Sequence, residues 1–186
     1  MAGDCTDVKS LKISAVALVL GVCQLFAQTP QVGSKAPEFR LSTMQAKPVG
    51  LSEITGKSSV VLVVLRGYPG YQCPYCTRQV QEFVSHAPDF AAKGAEVVFI
   101  YPGPPDELPS KAAESAAGKE LPAHFTLLLD PGYDFTNRYG LRWDAPKETA
   151  YPTTYVLDKQ GTITWLKSAK AHAGRATAAE VLEVLK

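Results

Sequence analysis

The chain has 186 residues, 46% of them hydrophobic and 20% charged, with a formal net charge of +1. That balance excludes an intrinsically disordered chain, which needs low hydrophobicity and high net charge. It also excludes a general attraction to nucleic acid or anionic lipid, since no run of basic residues offers a phosphate-binding stripe.

The N-terminus departs from this average. Lys9 and Lys12 precede the apolar run Ile13 to Ala27, and polar Gln28-Thr29-Pro30-Gln31 follows. A basic stretch, a short apolar stretch and a small residue read as a secretory signal peptide over residues 1–27. Asp4, Asp7 and the bulky Leu25 depart from that pattern, and a retained anchor is the alternative. The run is short against the roughly 20 apolar residues of a spanning helix. The expectation is an exported protein, periplasmic or otherwise extracytoplasmic, with no membrane insertion after cleavage. Residues 28–186 then form one domain. Cys5 and Cys23 leave with the leader, so Cys73 and Cys76 alone meet an oxidising compartment.

Residues 32–42 alternate apolar positions around a proline, as an edge segment does. LSEITGKSS turns into VVLVVL, residues 60–65, whose unbroken apolar character predicts a strand buried on both faces. CPYCTRQVQEFVSHA, residues 73–87, reads as a helix with Val80, Phe83 and Val84 on its apolar stripe and Pro88 ending the pattern. AEVVFIY (95–101) is a second buried strand, PGPPDELPS a proline-rich loop and KAAESAA (111–117) a short surface helix. FTLLLD (125–130) is a strand, Asp130-Pro131-Gly132 its turn and residues 133–140 a short helix. TTYVLD and TITWL flank Lys159-Gln160-Gly161 as a hairpin. Thr177 and Glu180 have capping-box spacing ahead of a closing helix with Ala178, Val181, Leu182 and Leu185 on one face. Alternating strands and helices followed by a hairpin imply an α/β fold, a mixed sheet flanked by helices.

The chemistry concentrates in RGYPGYQCPYC, residues 66–76. Cys73 falls where the strand's loop becomes the helix, beside unpaired amides and the positive end of the helix dipole. There a thiol ionises well below its ordinary pKa of about 8.5, and the thiolate is the nucleophile. Pro74 suits the first turn because it has no amide to leave unpaired. Cys76 lies three residues on, within disulfide range and one turn deeper. The pair therefore provides an outer attacking sulfur and an inner resolving one. His86, His124 and His172 lack the paired spacing of a zinc site, so neither metal nor cofactor is expected. A purely structural disulfide over so short a loop would constrain the unfolded chain little. Tyr68, Tyr71 and Tyr75 surround the pair as a substrate rim or as a cover for the end of the sheet.

VGSKAPEFRL, LSEITGKSSVVLVVL, LLLDPGYDFTNRYGL and YPTTYVLDKQGTI together resemble the thioredoxin-like redoxins, specifically the alkyl hydroperoxide reductase/thiol-specific antioxidant family. The resemblance runs from about Val32 to the C-terminus. It implies a thioredoxin fold with a peroxiredoxin-like N-terminal extension. It also implies a thiol-dependent oxidoreductase, acting on protein or small-molecule disulfides or on hydroperoxides, with an external electron donor.

Two templates of that superfamily fit the pair. Peroxiredoxins space a proline, a threonine and the peroxide-attacking cysteine as Pro69, Cys73 and Cys76 are spaced here, which makes Cys76 peroxidatic and Cys73 resolving. Thioredoxins attack with the first sulfur, Cys73. The family arginine that attends the peroxidatic thiolate is replaced by Pro152, at the place where thioredoxins carry a cis-proline. By resemblance Pro152 is then cis and shapes a substrate groove with Tyr71, Pro74, Tyr75, Tyr151 and Thr153. Arg66 or Arg142 stands in for the missing arginine, Arg66 as the thiolate-stabilising candidate. The thioredoxin-type buried acid is also missing, because VVLVVL has no charge before Arg66. The reading that follows is a thiol-disulfide oxidoreductase with Cys73 as nucleophile. A thiol peroxidase with the sulfur roles exchanged and a redox-inert binding module are the alternatives.

Overall fold

The computed structural model describes residues 29–115 and 120–186, so the expected leader, residues 1–27, lies outside the described residues. Its elements in chain order are β1 (Arg40–Thr43), β2 (Pro48–Gly50), α1 (Leu51–Thr55), β3 (Ser59–Val64), α2 (Pro74–Ser85), α3 (Ala87–Ala92), β4 (Ala95–Gly103), α4 (Leu108–Ser115), β5 (Phe125–Pro131), α5 (Asp134–Arg138), β6 (Thr153–Leu157), β7 (Ile163–Ser168) and α6 (Ala178–Val184). The seven strands form one sheet in the order β2-β1-β5-β4-β3-β6-β7. β3, β4 and β5 run parallel at its centre, and antiparallel pairs close both sides. The mixed sheet is as expected, and the N-terminal extension is the β1–β2 pair docked on β5.

Because side chains alternate along a strand, β3 feeds two cores. Val61, Val63 and Leu65 pack with Phe83, Phe90, Val97, Phe99 and Val181 on one face, where both cysteines also lie. Val60, Leu62 and Val64 pack with Phe39, Phe135, Tyr139 and Tyr155 on the other. Every residue from Val60 to Leu65 is fully buried, which is why the sequence shows no alternation there.

Three local features differ from the sequence expectation. LSEIT closes one helical turn as α1. The first helical run stops at Ser85, and Pro88 then sits in the first turn of a separate helix, α3, where a proline forfeits no helical hydrogen bond. α4 begins at Leu108, inside the proline-rich stretch, with Pro109 in its first turn. The hairpin forms between β6 and β7, its turn held by the Asp158 carboxylate accepting from the amides of Gln160 (2.9 Å) and Thr162 (2.8 Å).

The β3–α2 loop is pinned from below. The Tyr68 amide donates to the Pro102 carbonyl at 2.9 Å, and the buried Tyr101 hydroxyl donates to Gln72 Oε1 at 2.9 Å. Gly67 makes that approach with φ +72, and a Cβ there would stand 1.9 Å from the Pro102 carbonyl oxygen. Gly67→Ala therefore combines a forbidden contact with a left-handed backbone, which costs about 1–3 kcal/mol by itself. The variant is expected to unfold in urea at a markedly lower midpoint than the parent, and unchanged unfolding would refute this account of the loop.

Candidate active site

The carboxyl end of β3 delivers Arg66, Gly67 and the loop, and the loop delivers Cys73 as the N-cap of α2 with extended backbone (φ −86, ψ 111). The Cys73 carbonyl accepts from the amides of Cys76 (2.9 Å) and Thr77 (3.2 Å), and Pro74 occupies the first helical position. Both sulfurs are free thiols in this structure. Both cysteines are also sealed, at 1% exposure each. The expected contrast between an outer, reachable sulfur and an inner one is thus not a contrast in exposure; it lies in charge.

The Cys73 thiol is pulled down to about 5, foremost by the Cys76 thiol hydrogen-bonded to it. Burial works against this shift, while the first-turn amides of Cys76 and Tyr75 and the charge of Arg175 favour it. Cys76 is pushed well above the ordinary thiol value by burial, then by its hydrogen bond with Cys73 and that neighbour's charge; Arg175 and the Gly67 amide oppose the rise only in part. One proton and one negative charge are therefore shared unequally, with the charge on Cys73.

Arg175 is the residue that sequence reasoning missed. Its Nη1 lies 3.5 Å from Cys76 Sγ and its Nη2 lies 3.7 Å from Cys73 Sγ. Nη1 also donates to Gln79 Oε1 at 3.1 Å, and Nε donates to the His172 carbonyl at 2.8 Å. Gln79 sits one turn beyond Cys76 on the same face of α2; its amide donates to the Ala176 carbonyl at 3.1 Å, and Glu82 accepts from the Ala178 amide at 2.8 Å. The Thr177–Glu180 capping box forms as expected and fixes the start of α6 just behind. The only available sequence signal was that box, and it says nothing about which helix the preceding residues cover.

Arg66 is fully buried and bonds the Glu148 carboxylate, the Lys147 carbonyl and, at 2.6 Å, the Tyr71 hydroxyl. Burial works against its charge, but Glu148 outweighs this and holds it firmly, with Tyr71 and Cys73 adding to the effect. Glu148 also takes a hydrogen bond from His172 Nε2 at 3.0 Å. The His172 ring meets Tyr75 and Trp143 edge-on, at 6.2 and 5.5 Å. Arg66 thus anchors the loops around the pair, while the guanidinium whose N–H groups reach the sulfurs is that of Arg175. Arg142 holds the carbonyls of Trp143, Glu148 and Thr149.

The expected cis bond at Pro152 is corrected: among the described residues every peptide bond is trans. The Tyr151 amide donates to the Leu141 carbonyl at 2.9 Å and the Pro152 carbonyl accepts from Ala169 at 2.8 Å. These bonds hold both flanks of the peptide, and Pro152 immediately precedes β6. Tyr151 stacks on Trp143 at 4.8 Å, and Thr153 bonds Ser168 Oγ at 2.9 Å, so these residues form a wall behind the site. Tyr71 and Tyr75 stand out at 41% and 38% exposure. A groove of about 230 Å³ runs between α2 and residues 173–177, lined by Tyr75, Arg78, Gln79 and Arg175 among others. A larger cavity of about 370 Å³ lies against β1 and α5, and none of the candidate residues lines it. Among the described residues no cluster of His, Cys, Asp and Glu is arranged to hold a metal.

A family model described as the AhpC/TSA family matches residues 32–166. A chloroplastic peroxiredoxin Q of Sedum lineare is 34% identical over 139 residues, covering 75% of this chain and 69% of that protein. A putative peroxiredoxin bcp of Haemophilus influenzae is 30% identical over 138 residues, covering 71% and 82%. The chain spans between 56% and 69% of the length of the first plant relatives it matches. Among solved structures, the peroxidoxin BcpB of Mycobacterium tuberculosis superposes with a TM-score of 0.64 at 22% identity, over 84% of this chain and 94% of that one. Peroxiredoxin 6 of Arenicola marina does so with a TM-score of 0.68 at 14% identity, over 83% and 71%.

The charge distribution gives a direct check. Alkylation of Cys73 by iodoacetamide in the reduced protein is expected to follow a single titration centred at about 5, falling as pH drops through that value because the thiol form is unreactive. Cys76 should stay unmodified to well above neutral pH. Equal labelling of the two sulfurs at pH 6 would overturn the assignment.

Proposed function

Because this chain belongs to the AhpC/TSA family, we propose that it is a thiol-dependent peroxidase that reduces hydroperoxides through the Cys73–Cys76 pair. The observation that carries this reading is a dithiol sealed at 1% exposure with its negative charge held on Cys73. A substrate of a few atoms reaches such a sulfur far more readily than the disulfide of a folded protein does. The peroxiredoxin relatives support the same choice.

In the first step the Cys73 thiolate attacks one peroxide oxygen. The O–O bond breaks, the departing alkoxide takes a proton from water, and Cys73 becomes a sulfenic acid. In the second step the Cys76 sulfur attacks Cys73, the S–O bond breaks, and the hydroxyl leaves as water with the Cys76 proton. A thiol donor returns two electrons to the resulting disulfide. Tyr71, Pro74 and Tyr75 border the approach, and Arg66 holds the loop beneath it. The leader, in this reading, delivers the domain outside the cytoplasm, which fractionation of the expressing cell checks.

A second reading, exchange with disulfide substrates, is favoured by the Cys-Pro-Tyr-Cys spacing and by the exposed Tyr71 and Tyr75 rings. Single variants separate the readings. Cys73→Ser is expected to lower peroxide consumption by at least about 100-fold, as loss of a nucleophile does. Cys76→Ser should react once with peroxide, accumulate a sulfenic acid at Cys73 and stop. Rapid sulfenic acid formation at Cys76 in the Cys73→Ser protein would exchange the sulfur roles. Slow peroxide reaction beside fast mixed-disulfide capture at Cys73 would establish disulfide exchange, and a pair inert to both would leave a binding module.

A further inference from the structure

Resting on the peroxidase reading, we propose that Arg175 is a counter-ion shared by both sulfurs, holding the thiolate on Cys73 for attack and then the thiolate that develops on Cys76 for resolution.

The two half-reactions make opposite demands. The first needs negative charge on Cys73, the second on Cys76, whose ionisation is opposed foremost by burial. A base to take its proton is not in place among the described residues. β3 carries no acid. The buried Asp130 is occupied by the Phe135 and Thr136 amides at 2.9 and 3.0 Å. Glu148 is held by Arg66 and His172, and Glu82 accepts from the Ala178 amide. The other ionisable neighbour is Tyr101 on β4, whose hydroxyl is kept protonated by burial, with the Cys76 charge adding to the effect.

What the site does provide is one planar cation that spans the pair, 3.5 Å from Cys76 and 3.7 Å from Cys73. Its position is fixed by atoms outside the chemistry, the His172 carbonyl and Gln79 Oε1. While Cys73 is a thiolate, its charge opposes ionisation of Cys76 and offsets the pull of Arg175. Conversion of Cys73 to the neutral sulfenic acid removes that opposition and leaves Arg175 in place. The field at Cys76 then favours the thiolate, the hydroxyl leaves from Cys73 as water with the Cys76 proton, and no carboxylate base is required. The guanidinium stays in place while the negative charge it faces is first that of the Cys73 thiolate, which leaves with the alkoxide, and then the charge that develops on Cys76 as its proton departs with the hydroxyl; none remains once the disulfide has formed. Of the five guanidinium N–H groups, Nε uses one, Nη1 uses two and Cys73 takes one from Nη2. The fifth, also on Nη2, has no acceptor among the described residues and is available to an oxygen bound to Cys73; Arg175 also lines the groove between α2 and residues 173–177.

The test uses the full chain carrying Arg175→Gln, which keeps the length and removes the charge, and Arg175→Lys, which keeps the charge without the fork. The first step is read in a Cys76→Ser background as trapping of the Cys73 sulfenic acid by dimedone. The second is read in the protein with both cysteines as the rate of disulfide formation after one equivalent of hydrogen peroxide. Arg175→Gln is expected to slow both by roughly 100-fold, the scale for losing one preorganised donor, and Arg175→Lys to recover part of each. Slowing of one step alone would assign Arg175 to a single sulfur and overturn the shared role.

Alkylation profiles against pH, taken for Cys73 in Cys76→Ser and for Cys76 in Cys73→Ser, need no peroxide. Arg175→Gln should move both to higher pH. If the parent ignores peroxide yet both profiles move, the peroxidase reading falls and the shared counter-ion stands. If peroxide reduction is normal and neither profile moves, the counter-ion falls and the peroxidase stands. Should Arg175→Gln fail to fold, wild-type rates and profiles in Arg175→Lys would overturn the proposal, and losses in both steps would uphold it.

Discussion

A negative charge on a sulfur away from solvent is the constraint around which this molecule is arranged. An isolated buried anion costs several kcal/mol or more and would simply take up a proton. Cys73 keeps its charge because the first amides of α2, the thiol of Cys76 and the Arg175 guanidinium converge on it. Each of those partners depends on a different part of the fold. The amides require a helix that begins at Pro74. The thiol requires three-residue spacing on that helix, and the guanidinium requires the segment ahead of α6 to lie across α2.

The scaffold accounts for these placements. Parallel strands leave their carboxyl ends on one edge, and the loops that emerge there are where α/β sheets build sites. β3 is paired on both sides, with β4 and β6, so the loop beginning at Arg66 starts from a rigid base. Arg66 itself reaches the Lys147–Glu148 turn, and Glu148 reaches His172. A chain of polar contacts thus ties the end of β3 to the segment that carries Arg175. Arg66 therefore lies fully enclosed near the thiolate while its ion pair is made with Glu148.

Much of the scaffold was legible in the sequence because its signals are local. The run Val60 to Leu65 implied a strand covered on both sides, and Thr177 with Glu180 had the spacing that opens a helix. The Cys-Pro start of α2 was equally plain. Short elements were not legible: α1 and α3 have five and six residues, too few for a periodic pattern to show. Pro88 carried an ambiguous message, since proline both ends one helix and begins the next. Pro152 misled because position within a resemblance does not determine backbone geometry. Arg175 was invisible for a deeper reason. It lies 99 residues from Cys76 in sequence, and its contact depends on how α6 docks, which no local pattern encodes. The sealing of both sulfurs was hidden in the same way.

The parts of this centre come from the β3–α2 segment, from the turn at Glu148 and from the stretch just before the last helix. A growing polypeptide that has released only the first of these carries two thiols with part of their final environment. The arginine that completes it is synthesised about a hundred residues later. Full reactivity is therefore conferred only after the segment ahead of α6 has been made. The sulfur pair acquires its shared cation only when a residue 99 positions beyond Cys76 has joined the fold.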